Sequence, residues 1–109
     1  MTETEFLQAA EEMIFAIEDA IDECEVDIDF DTMGEVLTLI FENKSQVIIN
    51  KQTPLKQIWV AAKSGGFHFD YHDEKQDWVL NSDSNKTLNA CLNEYCTAQA
   101  GEAVTLELP

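Results

Sequence analysis

The sequence predicts an α+β fold of the two-layer sandwich type, in which N- and C-terminal helices pack on one face of an antiparallel meander sheet of five to six strands. Apolar residues recur at helical spacing near both ends of the chain, and short alternating or β-branched runs fill the middle. The turns between these runs are short, which favours antiparallel neighbours. The 109 residues are about the length of one domain, so we expect a single domain over residues 1–109.

The first helix is predicted from a capping signal followed by an apolar stripe. Thr2 and Glu5 stand three residues apart, as in a capping box. The residues that then recur at steps of three and four are Phe6, Ala10, Met13, Ile17, Ile21 and Cys24, with Ile14 widening the stripe. This pattern predicts a helix of about 20 residues with one buried face.

The central part of the chain predicts strands separated by turn-forming residues. The strand candidates are 26–31, 36–42, 46–51, 58–62, 67–71 and 78–80. Gln52-Thr53-Pro54, Ser64-Gly65-Gly66 and Asp73-Glu74-Lys75-Gln76 interrupt the later runs. In the first candidate, aspartates alternate with apolar residues, which predicts a strand with one carboxylate face.

The second helix is predicted near the C-terminus. Ser82-Asp83-Ser84 supplies N-cap candidates, and Gly101 is a candidate for the residue that ends the helix. Its apolar stripe consists of Leu88, Cys91, Leu92, Tyr95 and Cys96. We expect the tail 104–108, which alternates apolar and polar residues, to cover the gap between the helices.

The distribution of charge restricts the function. The chain carries 22 acidic residues against 6 lysines, and residues 1–43 contain 14 of the acids and no base. Such a field repels nucleic acids and anionic membranes and attracts cations or basic proteins. No apolar run is long enough to span a membrane, and no basic leader is present. The three cysteines form no C-x-x-C pair, so we expect a reducing, cytoplasmic setting.

We use the name acidic ridge for the carboxylates that crowd the end of the first helix and the first strand. Its members are Glu18, Asp19, Asp22, Glu23, Glu25, Asp27, Asp29 and Asp31. Like charges four residues apart, and anions at a helix C-terminus, are each unfavourable by a few tenths of a kcal/mol. The ridge therefore predicts a site for a cation or a basic partner, although a solvated acidic surface is equally compatible with the pattern. Carboxylates alone favour hard cations, with Fe²⁺ acceptable.

The remaining reactive residues predict no active site. His68 and His72 are too far apart along a strand to hold one ion, and Cys91 and Cys96 are expected in the core. Trp59 alternates with Ile58 and Val60, so it points to the opposite face of the sheet from them. From the pattern alone, Trp59 is either a buried residue or an exposed binding anchor.

The stretch Asn50–Asp70 carries a distinctive motif, N-x-Q-x-P-x-x-Q-[IV]-W, followed by a Gly-Gly turn and an aromatic-His-Phe strand. This motif resembles the signature of the frataxin family. The resemblance extends to Glu5-Phe6 in the first helix, to Trp78 and to Gln99-Ala100-Gly101-Glu102, so it covers nearly the whole chain. The absence of a targeting leader makes the sequence similar to the bacterial branch of the family.

The resemblance implies an αβ sandwich and a non-enzymatic, iron-binding function in iron–sulfur cluster assembly. It implies weak, exchangeable Fe²⁺/Fe³⁺ binding by the acidic ridge, which would also meet a basic surface of the cysteine desulfurase. The second implied surface, formed by Asn50, Gln52, Gln57 and Trp59, would face the desulfurase and scaffold protein, with Trp59 exposed. We expect a monomer and leave iron-dependent oligomers open. The alternative is an acidic interaction module that regulates the desulfurase electrostatically, with incidental iron binding.

Overall fold

The computed structural model describes all 109 residues, Met1–Pro109. Its elements in chain order are α1 (Glu3–Glu23), β1 (Ile28–Met33), β2 (Val36–Phe41), β3 (Gln46–Gln52), a 3₁₀ turn (Thr53–Leu55), β4 (Gln57–Ala62), β5 (Gly65–His72), β6 (Asp77–Leu80), β7 (Asp83–Thr87) and α2 (Leu88–Ala100). The strands form one antiparallel sheet in the order β1 to β7, each strand paired with the next. The predicted helix–meander–helix architecture is confirmed.

The sheet has seven strands, so the predicted number of five to six is wrong. The additional strand is β7, and it includes Asp83 and Ser84. The sequence pattern predicts these two residues, with Ser82, as N-cap candidates of the second helix. The N-cap is instead Thr87, whose hydroxyl oxygen accepts a hydrogen bond from the Ala90 amide at 3.1 Å. β7 is polar along its whole length, so no apolar alternation marks it as a strand. It is held by backbone pairing with β6, across a register shift at Val79/Leu80.

Helix α1 is formed as its sequence pattern predicts. The Thr2 hydroxyl accepts from the Glu5 amide at 3.1 Å, and a Glu5 carboxylate oxygen accepts from the Thr2 amide at 2.8 Å, which completes the capping box. The apolar stripe is buried from Phe6 to Ile21. Cys24 is the C-cap residue and is half-buried. The helix therefore presents its acidic residues to solvent over the last two turns.

Both helices cover the same face of the sheet. Alternate residues of the strands point into the core, and they form one cluster with the buried stripes of α1 and α2. In β2, for example, Leu37, Leu39 and Phe41 are buried, whereas the residues between them are half-exposed. The opposite sheet face carries no helix, so its side chains are available to solvent or to a partner.

The C-terminal tail packs on the core without forming a strand. Val104 and Leu106 are buried. Their backbone is held by α2: the Leu106 amide donates to Asn93 Oδ1 at 2.6 Å, and the Val104 amide donates to Thr97 Oγ1 at 3.0 Å. The tail also borders a cleft beside the end of α1, which agrees with the expectation that it covers the gap between the helices.

Candidate functional site: an acidic ridge and a tryptophan face

The acidic ridge is a solvent-exposed surface at one edge of the sandwich. Every member is exposed except Glu18, which is half-buried. Helix α1 has no basic residue in its last turn, so the carboxylates near its C-terminus lie at the negative end of the helix dipole without a local counter-ion. The only ion pair in the structure joins Lys51 Nζ to Glu11 Oε1 at 4.0 Å, outside the ridge. The ridge therefore retains its full negative field.

Part of the ridge borders a cleft between α1 and the C-terminal tail. Asp19, Glu23 and Glu25 line this cleft, which has a volume of about 590 Å³. The opposite wall contributes Glu107, and Cys24 lies at its edge. Sequence reasoning did not place Glu107 at the ridge, because the path of the tail cannot be read from its pattern. The fold thus adds a fourth carboxylate from a distant part of the chain.

The other ridge residues are distributed over separate places. Asp27 lines a smaller cleft with Glu42 and Glu102. Glu18 accepts a hydrogen bond from the Thr32 hydroxyl, which ties α1 to β1. Asp29 and Asp31 of β1 pair with Ile40 and Thr38 of β2 and lie on the helix-free face of the sheet. Asp22 is exposed on α1 and borders none of these clefts.

The donor chemistry of the ridge fits iron, but its geometry is open. No group of three or more His, Cys, Asp or Glu side chains is arranged to hold one metal ion. Carboxylate oxygens are suitable ligands for Fe²⁺ and Fe³⁺, and exposed ones retain their hydration. This arrangement can attract cations and exchange them quickly, and any tight chelation would require the side chains to rearrange.

The second predicted surface, which we call the tryptophan face, is assembled by strand register. Asn50 pairs with Trp59 and Gln52 with Gln57 across β3 and β4, so all four predicted residues share the helix-free face. Ile58 is buried and Trp59 is half-exposed, as the alternation predicts. Fixed amides around an accessible indole are typical of a binding anchor.

Trp59 is held in one orientation by its neighbours. Its indole Nε1 donates to Gln57 Oε1 at 2.8 Å, and its ring stacks on His68 with the centroids 4.3 Å apart. Gln57 Nε2 in turn donates to Asp70 Oδ1 at 3.0 Å, and Asn81 Nδ2 donates to Asp70 Oδ2 at 2.7 Å. Asp70 therefore fixes the amide that fixes the indole, because a flipped amide would point its NH₂ group at the indole N–H.

Sequence reasoning missed Asp70 and assigned no role to Asn81 in this network. A signal was available for Asp70, since it alternates with the apolar Phe69 and therefore faces the same side as His68. The pairing of Gln57 with Asp70 depends on the register between β4 and β5, which local patterns do not specify.

Two members of the acidic ridge share a sheet face with the tryptophan face. Asp29 and Asp31 on β1 lie on the same sheet face as Trp59 on β4, three strands away. Neighbouring strands are spaced by about 4.8 Å, so roughly 14 Å separate the two strands. This distance is well within the footprint of one protein–protein interface. A single partner can therefore contact both surfaces at once.

The cysteines agree with the sequence prediction. Cys91 and Cys96 are buried and all three cysteines are free thiols. Burial raises the pKa of the Cys91 thiol, and burial together with the nearby Cys24 raises the pKa of Cys96 to about 12. Burial therefore disfavours the reactive thiolate form of both core thiols.

These features define a small acidic protein whose exposed carboxylates cluster at one edge of a two-layer αβ sandwich. No helix has the length and apolarity needed to cross a membrane. Comparison with known families gives the particular class: residues 1–102 match the Frataxin-like domain. The chain belongs to the frataxin family, whose members are not enzymes.

The relatives are similar over almost their full length. The chain is 46% identical over 107 residues to an iron–sulfur cluster assembly protein CyaY of Paraburkholderia xenovorans, covering 98% of this chain and 99% of the relative. A protein of the same name from Vibrio atlanticus is 46% identical over 104 residues, covering 95% and 97%. The solved structure of frataxin from Psychromonas ingrahamii superposes with a TM-score of 0.88 at 34% identity and covers 98% of this chain and 99% of that one.

Proposed function

We propose that this protein is an iron-binding accessory protein of iron–sulfur cluster assembly. It carries Fe²⁺ or Fe³⁺ as a weakly held cargo on the acidic ridge, and it docks on the complex of the cysteine desulfurase and the scaffold protein. The observation that carries the proposal is the acidic ridge, which collects eight carboxylates without a single base. The names of the relatives, which are iron–sulfur cluster assembly proteins, support it.

Docking uses both surfaces of the molecule. The ridge supplies long-range attraction to a basic surface of the desulfurase and raises the association rate. The tryptophan face supplies the short-range contact, because the indole of Trp59 is already oriented and loses little freedom on binding. The protein acts as a monomer in the cytoplasm in this scheme, and iron-dependent oligomers are an additional outcome to be measured by light scattering.

An anaerobic Fe²⁺ titration followed by NMR amide shifts tests the cargo function. We expect saturable shifts and broadening confined to residues 18–31 and the facing tail. The double variant Asp22→Asn/Asp27→Asn should weaken Fe²⁺ binding roughly thirtyfold, because it removes two exposed charges that each contribute about 1 kcal/mol. Asp73→Asn/Glu74→Gln is the matched control, since it removes the same charge from the exposed β5–β6 turn. Equal weakening by both variants, or no saturable shift, would refute a specific iron site.

A second function, an acidic interaction module with incidental iron binding, is favoured by one observation: no three potential ligands converge on a metal position. The two functions separate when the same variants are titrated with the desulfurase. If Asp22→Asn/Asp27→Asn weakens desulfurase binding while Fe²⁺ produces no saturable shift in the parent protein, the interaction module is the correct function. If the parent protein binds both, the cargo function stands.

A further inference from the structure

A groove lies between α1 and the turn that joins β1 to β2. It shares Glu18 with the acidic ridge but is separate from the two ridge clefts and from the tryptophan face. Its floor is apolar and includes Ile14 and Leu37. Phe15 forms one wall, and Gly34 at the β1–β2 turn lies on the opposite side. The groove has a volume of about 270 Å³, which is below the roughly 300–1,000 Å³ of small-molecule sites. It is therefore suited to a side chain rather than to a cofactor.

Phe15 is the unusual residue of this groove. It is 66% exposed, although a phenylalanine on the solvent side of an amphipathic helix contributes nothing to the core. Leu55 and Met33 are also exposed, by 57% and 74%, but neither of them lines this groove. An exposed aromatic side chain at the wall of an apolar groove is typical of protein-binding surfaces.

The rim of the groove is acidic. Glu11, Glu18 and Glu35 line it, against one ammonium group, that of Lys51. Lys51 is largely covered and is 4.0 Å from Glu11, so it offsets one carboxylate and leaves the rim negative. Glu11 and Glu18 are seven residues apart on α1, which places them about 10 Å from each other along the helix.

We infer that this groove is a docking site for a basic segment of a protein partner that inserts one apolar side chain against Phe15. In an extended segment, basic residues four positions apart lie on the same face and are separated by about 13 Å. Their long side chains can converge on Glu11 and Glu18, which are about 10 Å apart along α1. An apolar residue between them would then lie over the floor of the groove. The inference extends the proposed docking function and rests on it for the identity of the partner.

Two synthetic peptides of equal positive charge test the groove directly. One carries two lysines four positions apart with a leucine midway between them, so that all three side chains share one face of an extended segment. The other has serine in place of that leucine. We expect the leucine peptide to bind the full-length protein about tenfold more tightly, with amide shifts at residues 11–18 and 32–37, because one buried aliphatic side chain supplies this difference. In Phe15→Ser the preference should fall below about threefold, and Phe15→Leu should retain it. Thermal unfolding of both variants verifies that they are folded.

Equal binding of the two peptides, or an undiminished preference in Phe15→Ser, would overturn the inference. A parallel titration with the desulfurase separates this failure from failure of the proposed function. If the desulfurase binds the parent protein and Phe15→Ser equally well, the groove is not its docking site and the docking function survives. If Phe15→Ser weakens desulfurase binding about tenfold without changing its salt dependence, the apolar contact is confirmed, because the variant leaves all charges in place.

Discussion

Gln99 is the only buried polar side chain of the protein, and its replacement gives a sharp test of how α2 is attached to the sheet. It is 7% exposed. Its Nε2 donates to Ser45 Oγ and to the Gln46 carbonyl, both at 3.1 Å, and its Oε1 accepts from the Lys63 amide at 2.9 Å. One side chain therefore joins the end of α2 to the β2–β3 turn and to the residue that follows β4.

The magnitude follows from these three hydrogen bonds. Each contributes about 0.5–1.5 kcal/mol, and Gln99→Leu also leaves the Gln46 carbonyl and the Lys63 amide without their protein partner. Lys63 is exposed, so water can replace part of the loss at its amide. We expect the free energy of unfolding to fall by about 2–3 kcal/mol, which lowers the Tm by roughly 10–15 °C for a domain of this size.

Urea denaturation monitored by far-ultraviolet circular dichroism measures this loss. Gln8→Leu is the matched control, because Gln8 is an exposed glutamine of α1 whose side chain makes no hydrogen bond, and its effect should stay within about 0.5 kcal/mol. A loss below about 1 kcal/mol in Gln99→Leu would refute the reasoning, since it would mean that water or a leucine contact replaces the three hydrogen bonds.

Three further predictions concern the binding surfaces, the thiols and the helix cap. Asp70→Ala should shift the indole N–H resonance of Trp59 and weaken partner binding about threefold to tenfold, the equivalent of one lost orienting hydrogen bond; an unchanged resonance contradicts this. At about pH 8 an aromatic disulfide reagent should modify the half-buried Cys24 in the native protein and Cys96 only after unfolding, because burial raises the pKa of Cys96 to about 12. Equal labelling of both thiols in the native state would contradict it. The hydrogen bond from the Thr2 amide lowers the pKa of Glu5 below its ordinary value of 4.5, so its contribution is present above that pH and is lost as the pH falls through the lowered pKa. Glu5→Gln should therefore reduce the loss of α1 structure on acidification, measured from amide shifts of its first turn.

Helix α1 and the central strands could be predicted because local pattern and burial coincide there. The spacing from Phe6 to Ile21 specifies a single buried face. The alternation around Trp59 specifies that Trp59 and Ile58 face opposite sides of β4, and the structure shows that the Ile58 side is the buried one. The clustering and exposure of the acidic ridge could also be predicted, since its members lie close together in the chain, between residues 18 and 31. Their chemistry depends on residue type and exposure, which a sequence displays directly.

What could not be predicted depends on contacts between distant segments. β7 has no apolar alternation and exists through backbone pairing with β6. Gln99 looks like a surface residue until the β2–β3 turn is placed against it, and Asp70 has no evident role until register sets it beside Gln57. Glu107 reaches the ridge because of the path taken by the tail. In each case the determining quantity is a tertiary distance that local propensity does not encode.

The ridge is compatible with a stable fold because its unfavourable electrostatics lie where the core does not depend on them. The carboxylates occupy the last turns of α1, the connection to β1, where Glu25 and Asp27 lie rather than in the strand predicted for Asp27, and one face of the edge strand β1. The residues that bury the most surface come from α1, α2 and the central strands. Repulsion between exposed like charges amounts to a few tenths of a kcal/mol per pair. Burial of one large core side chain contributes about 1.5–3 kcal/mol. The fold can therefore maintain a concentrated negative surface, and the binding of a cation or a basic partner relieves repulsion that the free protein must bear. That relief favours the bound state without requiring a preformed pocket, which is the physical reason why an open ridge can serve as a reversible binding site.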